Sequence, residues 1–94
     1  MQNKKIILTN SIVTKDVITN ENITLTKIKL SFVRIFPNKN QIVIGYDFIT
    51  NDGIIGKHKE IIVDSDYSIL DPSENNILQY IINNDNEIEG NIEE

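Results

Sequence analysis

Cysteine, tryptophan and alanine are missing from this 94-residue chain, and histidine and arginine occur once each. Without cysteine there is no disulfide framework, no thiolate zinc site and no thiol nucleophile. One histidine excludes a two-histidine metal motif. One arginine leaves little for bidentate phosphate recognition. The four glycines, at 45, 53, 56 and 90, form no phosphate cradle, and no Gly-Lys-Ser/Thr follows them. None of Ser11, Ser31, Ser65, Ser68 and Ser73 sits in a glycine-flanked elbow. Long apolar runs are also missing, since no stretch approaches the roughly 18 to 20 residues of a membrane span. Met1-Gln2-Asn3-Lys4-Lys5 opens like a signal peptide. The run behind it, Ile6-Ile7-Leu8, stops far short of the about 7 to 15 apolar residues such a leader needs. The expectation is a chain made in the cytoplasm without a signal peptide, for which the sequon Asn22-Ile23-Thr24 carries no meaning.

Isoleucine dominates what is present, with 20 Ile against 5 Leu and 5 Val. Hydrophobic residues make up 39%, enough for one modest core in one domain. Ile, Asn and Lys account for 41 residues, a bias that AT-rich codons produce and that points to a bacterial or phage genome. Charge is unevenly placed. Residues 1–82 hold nine acids and nine bases, so the formal charge of −5 comes from Asp85, Glu87, Glu89, Glu93 and Glu94. That count leaves no basic patch for nucleic acid and no polybasic membrane stripe.

Strand signals fill most of the chain. Residues 4–19 read as two short strands or one bent one, broken at Asn10-Ser11. Residues 23–36 form the longest β-like run. Its alternation changes phase between Leu25 and Ile28, which predicts a bulge or break near Thr26-Lys27. Pro37 to Asn40 make a turn. Ile42, Ile44, Tyr46 and Phe48 then alternate along one face of residues 41–50. Asn51-Asp52-Gly53 is a hairpin signal, with a returning strand from Ile55 to Asp64. Residues 28–64 therefore read as a three-stranded antiparallel meander. Gly45, inside a strand, marks a bulge or a close backbone approach.

Asp71-Pro72-Ser73-Glu74 announces a helix, with Asp71 as cap and Glu74 closing a capping box. Ile77, Leu78, Ile81 and Ile82 form its apolar stripe, and Asn83-Asn84 end it. The expected fold is β-rich α+β: an antiparallel meander, sandwich or barrel-like, with one short C-terminal helix and an acidic tail. Residues 1–84 form the domain and residues 85–94 a flexible arm.

Two constellations invite chemistry. His58 and Glu60 share a strand face and could exchange a proton, but nothing else a site needs accompanies them, so a solvated surface pair is expected. Asp64-Ser65-Asp66-Tyr67-Ser68 places polar residues as a calcium loop does. It has Ile69 where glycine is required and Asn75 where the closing glutamate belongs, so a metal-dependent enzyme through Asp64 and Asp66 is the weakest reading. No catalytic residue, metal, cofactor or small-molecule ligand is expected.

The apolar excess carries more weight. Isoleucine and phenylalanine occur on both faces near 33–36, 42–44 and 61–63. Either residues 5–18 and 23–25 return over the second face, or another chain covers it. The expected function is a non-enzymatic subunit of a larger assembly, with a phage virion (head, neck or tail accessory protein) as its setting. Its partners would be copies of itself or other subunits, with no nucleic acid or membrane contacted directly. The candidate contact residues are Phe32, Ile35, Phe36, Ile42 and Ile44 on the strands, and Ile88, Ile92, Glu93 and Glu94 on the tail. The alternative is a small acidic inhibitor acting on a host factor through that tail.

Overall fold

The computed structural model describes residues 4–71 and 73–93. Five strands form one antiparallel sheet: β1 (Lys5–Lys15), β2 (Asn22–Phe36), β3 (Gln41–Ile49), β4 (Ile55–Val63) and β5 (Gly90–Ile92). One helix, α1 (Glu74–Asn84), connects β4 to β5. The spatial order is β4-β3-β2-β1-β5, and the sheet does not close. It is thus neither a barrel nor a sandwich. The meander at 28–64 is present, but residues 5–15 and 23–25 extend the same sheet instead of returning over it, and residues 16–18 lie in the turn between them.

Local chemistry accounts for the turns. Gly53 adopts φ +89, which suits glycine at this tight connection. The Thr50 hydroxyl accepts the Ile54 N–H at 3.0 Å and closes that turn. After β2, Pro37–Lys39 make a single 3-10 turn, and Asn40 takes the left-handed conformation at φ 51. The phase change in β2 coincides with a break in the β1–β2 ladder, where Ile7 pairs with Lys27 and the next pair is Ile12 with Leu25. Leu25 and Ile28 are consequently both fully buried in one core. Most of the extra chain lies on β1, between Ile7 and Ile12. A second irregularity, at Ser31, keeps Leu30 opposite Tyr46 and sets Phe32 opposite Gly45.

The core lies between one sheet face and α1. Ile42, Ile44, Tyr46 and Phe48 supply the centre, joined by Ile6, Ile28, Val63 and the helix residues Ile77, Leu78 and Ile81. Full burial of such side chains is worth about 1.5–3 kcal/mol each. The apolar stripe of α1 is as expected, with Ile82 half-buried at its margin. Its start differs. Ser73, not Asp71, is the capping residue, and Asp71 instead accepts the Ser73 N–H at 3.2 Å. Glu74 makes no capping box, because its carboxylate accepts the Lys4 N–H across the fold at 3.3 Å. Pro72 lies outside the described residues.

The largest departure is at the C-terminus. Residues 85–93 pack on the domain in place of forming a flexible arm. Ile88 is buried, Gly90–Ile92 pair with Ile6–Leu8, and the Thr9 N–H donates to the Glu89 carbonyl at 2.7 Å. The expectation weighed the acidic charge and missed the lysines that answer it. Glu94 lies outside the described residues.

Candidate interaction surface

α1 covers one face of the sheet, and the other face is open. Pleating and register assign its residues. One row crosses the sheet as Lys5, Lys29, Asp47 and His58. The next row is Ile7, Lys27, Ile49 and Ile55. On the other side follow Phe32, Gly45 and Glu60, then Arg34, Val43 and Ile62.

A polar and aromatic cluster occupies the middle of this face. Phe32 lies over Gly45, so close that a β-carbon there would collide with the ring edge. This is the close approach that a glycine inside a strand signalled. The Arg34 guanidinium sits 4.6 Å from the Phe32 ring centre. His58 spans two carboxylates, with Nδ1 2.6 Å from Asp47 and Nε2 3.0 Å from Glu60. Asp47 is buried beneath it at mid-sheet. The bond to Asp47, seconded by that to Glu60, raises the His58 pKa above its ordinary value. A raised histidine pKa stabilises the fold below the unfolded value of about 6.5 and loses that contribution as pH rises through the folded value. His58→Gln should therefore flatten the decline in melting temperature above about pH 6.5, measured from pH 5 to 9. An unchanged decline would show that the pair carries no linkage.

Three lysines gather beside the cluster. Lys5 stands directly opposite Lys29, and Lys27 lies two residues along the same face of β2. Like charges directly opposed across a ladder destabilise it. Among the described residues, none of the three forms an ion pair.

The lysines on the helix side behave differently. Lys57 reaches Glu87 at 2.8 Å, and Lys59 reaches Glu87 at 2.6 Å and Asp85 at 3.1 Å. The buried Asp85 also accepts the Tyr46 hydroxyl at 2.5 Å. Burial alone would raise the Asp85 pKa. Bonds from Tyr46, the Glu87 N–H and Lys59 outweigh that and hold it below the ordinary carboxylate value. Burial and the Asp85 bond push the Tyr46 hydroxyl up. This network fastens the end of α1 to β3 and β4.

Two further features reach solvent. The β1–β2 hairpin ends in Val17 and Ile18, 98% and 90% exposed. The tip is held by Asp16, which accepts the Ile18 and Thr19 N–H groups at 2.8 and 3.1 Å. β4 forms one edge of the sheet. Among the described residues, no backbone hydrogen bond outside the β3–β4 ladder reaches Ile55–Val63.

The contact residues expected from sequence fall into separate groups. Phe32, Ile35 and Phe36 lie on β2, Phe32 half-buried and the other two exposed near the strand end. Ile42, Ile44 and Ile88 are core residues, which corrects their assignment to a contact surface, because α1 and the 85–89 segment already cover them. Ile92 and Glu93 are half-buried, Ile92 within β5 and Glu93 just beyond it. The residues that reading missed are Lys5, Lys27 and Lys29. Alternation in β2 placed Lys27 and Lys29 on one face, but their meeting with Lys5 depends on strand pairing. Among the described residues no group of three or more His, Asp and Glu side chains is arranged to hold a metal ion. Asp66 is instead bonded to the Tyr80 hydroxyl at 3.1 Å. No described helix is long and apolar enough to cross a membrane. Comparisons with protein-family models, curated proteins and solved structures find no match.

Proposed function

We propose that this chain is a non-enzymatic subunit of a larger assembly and that the open face of its sheet receives an acidic protein surface. The observation that carries the reading is the Lys5–Lys29 opposition with Lys27 beside it. Lys29 faces Lys5 on one side and Asp47 on the other, so the triad leaves cationic charge at Lys5 and Lys27 that an anionic partner would meet. Apolar residues share the face: Ile7, 39% exposed, stands opposite Lys27, and Ile62 and Phe36 are exposed at its other end. Such a mixture suits a protein contact. The lysines gather on the β1–β2 side of this face, which suits an acidic patch on a different subunit. A polyanionic nucleic acid fits less well, because the chain carries a net charge of −5 and the face also presents Glu60. His58 favours binding over catalysis, since both ring nitrogens are engaged by carboxylates.

Composition supports the setting of a phage particle through its AT-rich bias. The inhibitor reading draws less support, because Asp85 and Glu87 of the acidic segment are already paired with Lys57 and Lys59.

Replacing Lys5, Lys27 and Lys29 together by glutamine tests the reading. Because Lys29 faces both Lys5 and Asp47, the variant should change stability by no more than roughly 0.2–1 kcal/mol and stay folded. In extracts of the source organism the natural chain should fractionate in a high-mass particle. The triple variant should run as the free 10.8 kDa chain or its small oligomer. A natural chain that runs free in those extracts would contradict the proposal.

A further inference from the structure

We propose that β4 pairs with β4 of a second copy, joining two sheets edge to edge into one continuous antiparallel sheet about a two-fold axis at Lys59. The inference names one partner within the assembly proposed above and rests on that reading for its purpose. Its physical basis is separate, because it uses the sheet edge and not the open face.

An edge strand presents unpaired N–H and C=O groups, and folded proteins guard such edges with lysines, bulges or covering segments. β4 lacks a cover. Its outward backbone groups have no partner among the described residues. Its lysines guard it poorly. Lys57 and Lys59 are drawn onto Glu87 and Asp85 of the same chain, so the charge that would repel a second edge is neutralised at its source. The bulge lies at Gly56, at the start of the strand, and leaves Lys57–Val63 in regular register with β3.

Charge selects the register. A two-fold axis normal to the sheet keeps like faces together, so a residue on the axis meets itself and the others pair symmetrically about it. An axis at Glu60 would oppose two glutamates. An axis at Ile61 would set Glu60 against Ile62 of the second copy. With the axis at Lys59, His58 faces Glu60 of the second copy, twice in the dimer, and Lys57 faces Ile61. His58 keeps Nδ1 on Asp47, and its Nε2, 3.0 Å from Glu60 of its own chain, exchanges that carboxylate for Glu60 of the second copy across the seam. The two axial lysines lie on the helix side, each already bound to Asp85 and Glu87. Ile62, half-exposed at the edge, comes to lie beside Gly56 of the second copy.

A seam of about five residues per copy falls well below the roughly 1,000 Å² of a stable interface. The dimer should therefore be weak and concentration-dependent, with Kd on the order of 100 μM. Within a particle, neighbouring contacts would raise the effective concentration and fix it.

The test is sedimentation equilibrium of the purified full chain from about 10 μM to about 1 mM, around the expected dissociation constant. The weight-average mass should rise from 10.8 kDa towards twice that value. Glu60→Lys places a cation opposite His58 and should weaken association at least tenfold with little change in melting temperature. The chain has no cysteine, so Lys59→Cys introduces a single thiol on the axis. Opposed residues in an antiparallel pair have α-carbons about 4.5–5.5 Å apart, within disulfide reach. Mild oxidation should then crosslink Lys59→Cys and not Asn38→Cys, placed in the exposed turn after β2. A mass that stays at one chain throughout overturns the proposal, as does association that Glu60→Lys leaves unchanged or crosslinking equal at both positions. If Lys59→Cys fails to fold, the mass of the natural chain and of Glu60→Lys decides the matter. A monomeric purified chain that still fractionates with a high-mass particle would overturn the edge pairing and leave the assembly reading standing.

Discussion

Deleting residues 85–94 should abolish cooperative folding. The deletion removes Ile88 from the core, Asp85 from the Tyr46 hydroxyl and Lys59, Glu87 from Lys57 and Lys59, and β5 from β1. Loss of one buried isoleucine side chain alone costs about 2–5 kcal/mol. A domain of this size has only about 5–15 kcal/mol to lose. Removing Asp85 also leaves the Tyr46 hydroxyl buried without its partner, and the β1 backbone groups that met β5 must return to water. Circular dichroism of the truncated chain should show no sigmoidal melt at 25 °C and above. A flexible acidic arm, as charge composition alone suggests, would leave the melt unchanged.

Asp85→Ala should cost about 2–4 kcal/mol. Removing one partner of a buried pair typically costs about 3–5 kcal/mol, because the other is left uncompensated. The lower figure applies here because Lys59 is partly exposed and keeps Glu87 at 2.6 Å. For a domain of this size that means a melting temperature lower by roughly 10–25 °C. Acidity should act in the same direction. A carboxylate whose pKa is held low in the fold contributes stability above its unfolded value of about 3.9 and loses it as pH falls through the folded value. The natural chain should therefore weaken below about pH 4, and Asp85→Ala should show a shallower acid limb. Equal acid limbs in the two proteins would mean that Asp85 is not the group being protonated.

The parts of the fold carried by local chemistry were legible in the sequence. Alternation through Ile42, Ile44, Tyr46 and Phe48, the Asn51-Asp52-Gly53 turn and the stripe Ile77, Leu78 and Ile81 each depend on neighbours a few residues away. The phase change between Leu25 and Ile28 located the ladder break for the same reason. What escaped depends on distant pairing. Asp85 and Glu87 looked like a solvated acidic run because their cations lie 26 and 30 residues earlier, on β4. Ile88 and Ile92, candidate contacts of a tail by sequence, complete the core and the edge strand. Alternation showed that Ile42 and Ile44 share a face, but it could not show that α1 covers that face. The candidate surface was hidden in the same way, since Lys5 and Lys29 are 24 positions apart and meet only through the β1–β2 register.

Lysine labelling tests most directly the claim that the open face is covered by a partner. An amine-reactive reagent should modify Lys5, Lys27 and Lys29 in the purified chain and modify Lys57 and Lys59 slowly. In the high-mass fraction from the source organism, Lys5, Lys27 and Lys29 should become protected, while Lys15 on the projecting hairpin and Lys39 in the turn serve as references outside the lysine triad. Equal labelling of Lys5, Lys27 and Lys29 in both samples would contradict the account.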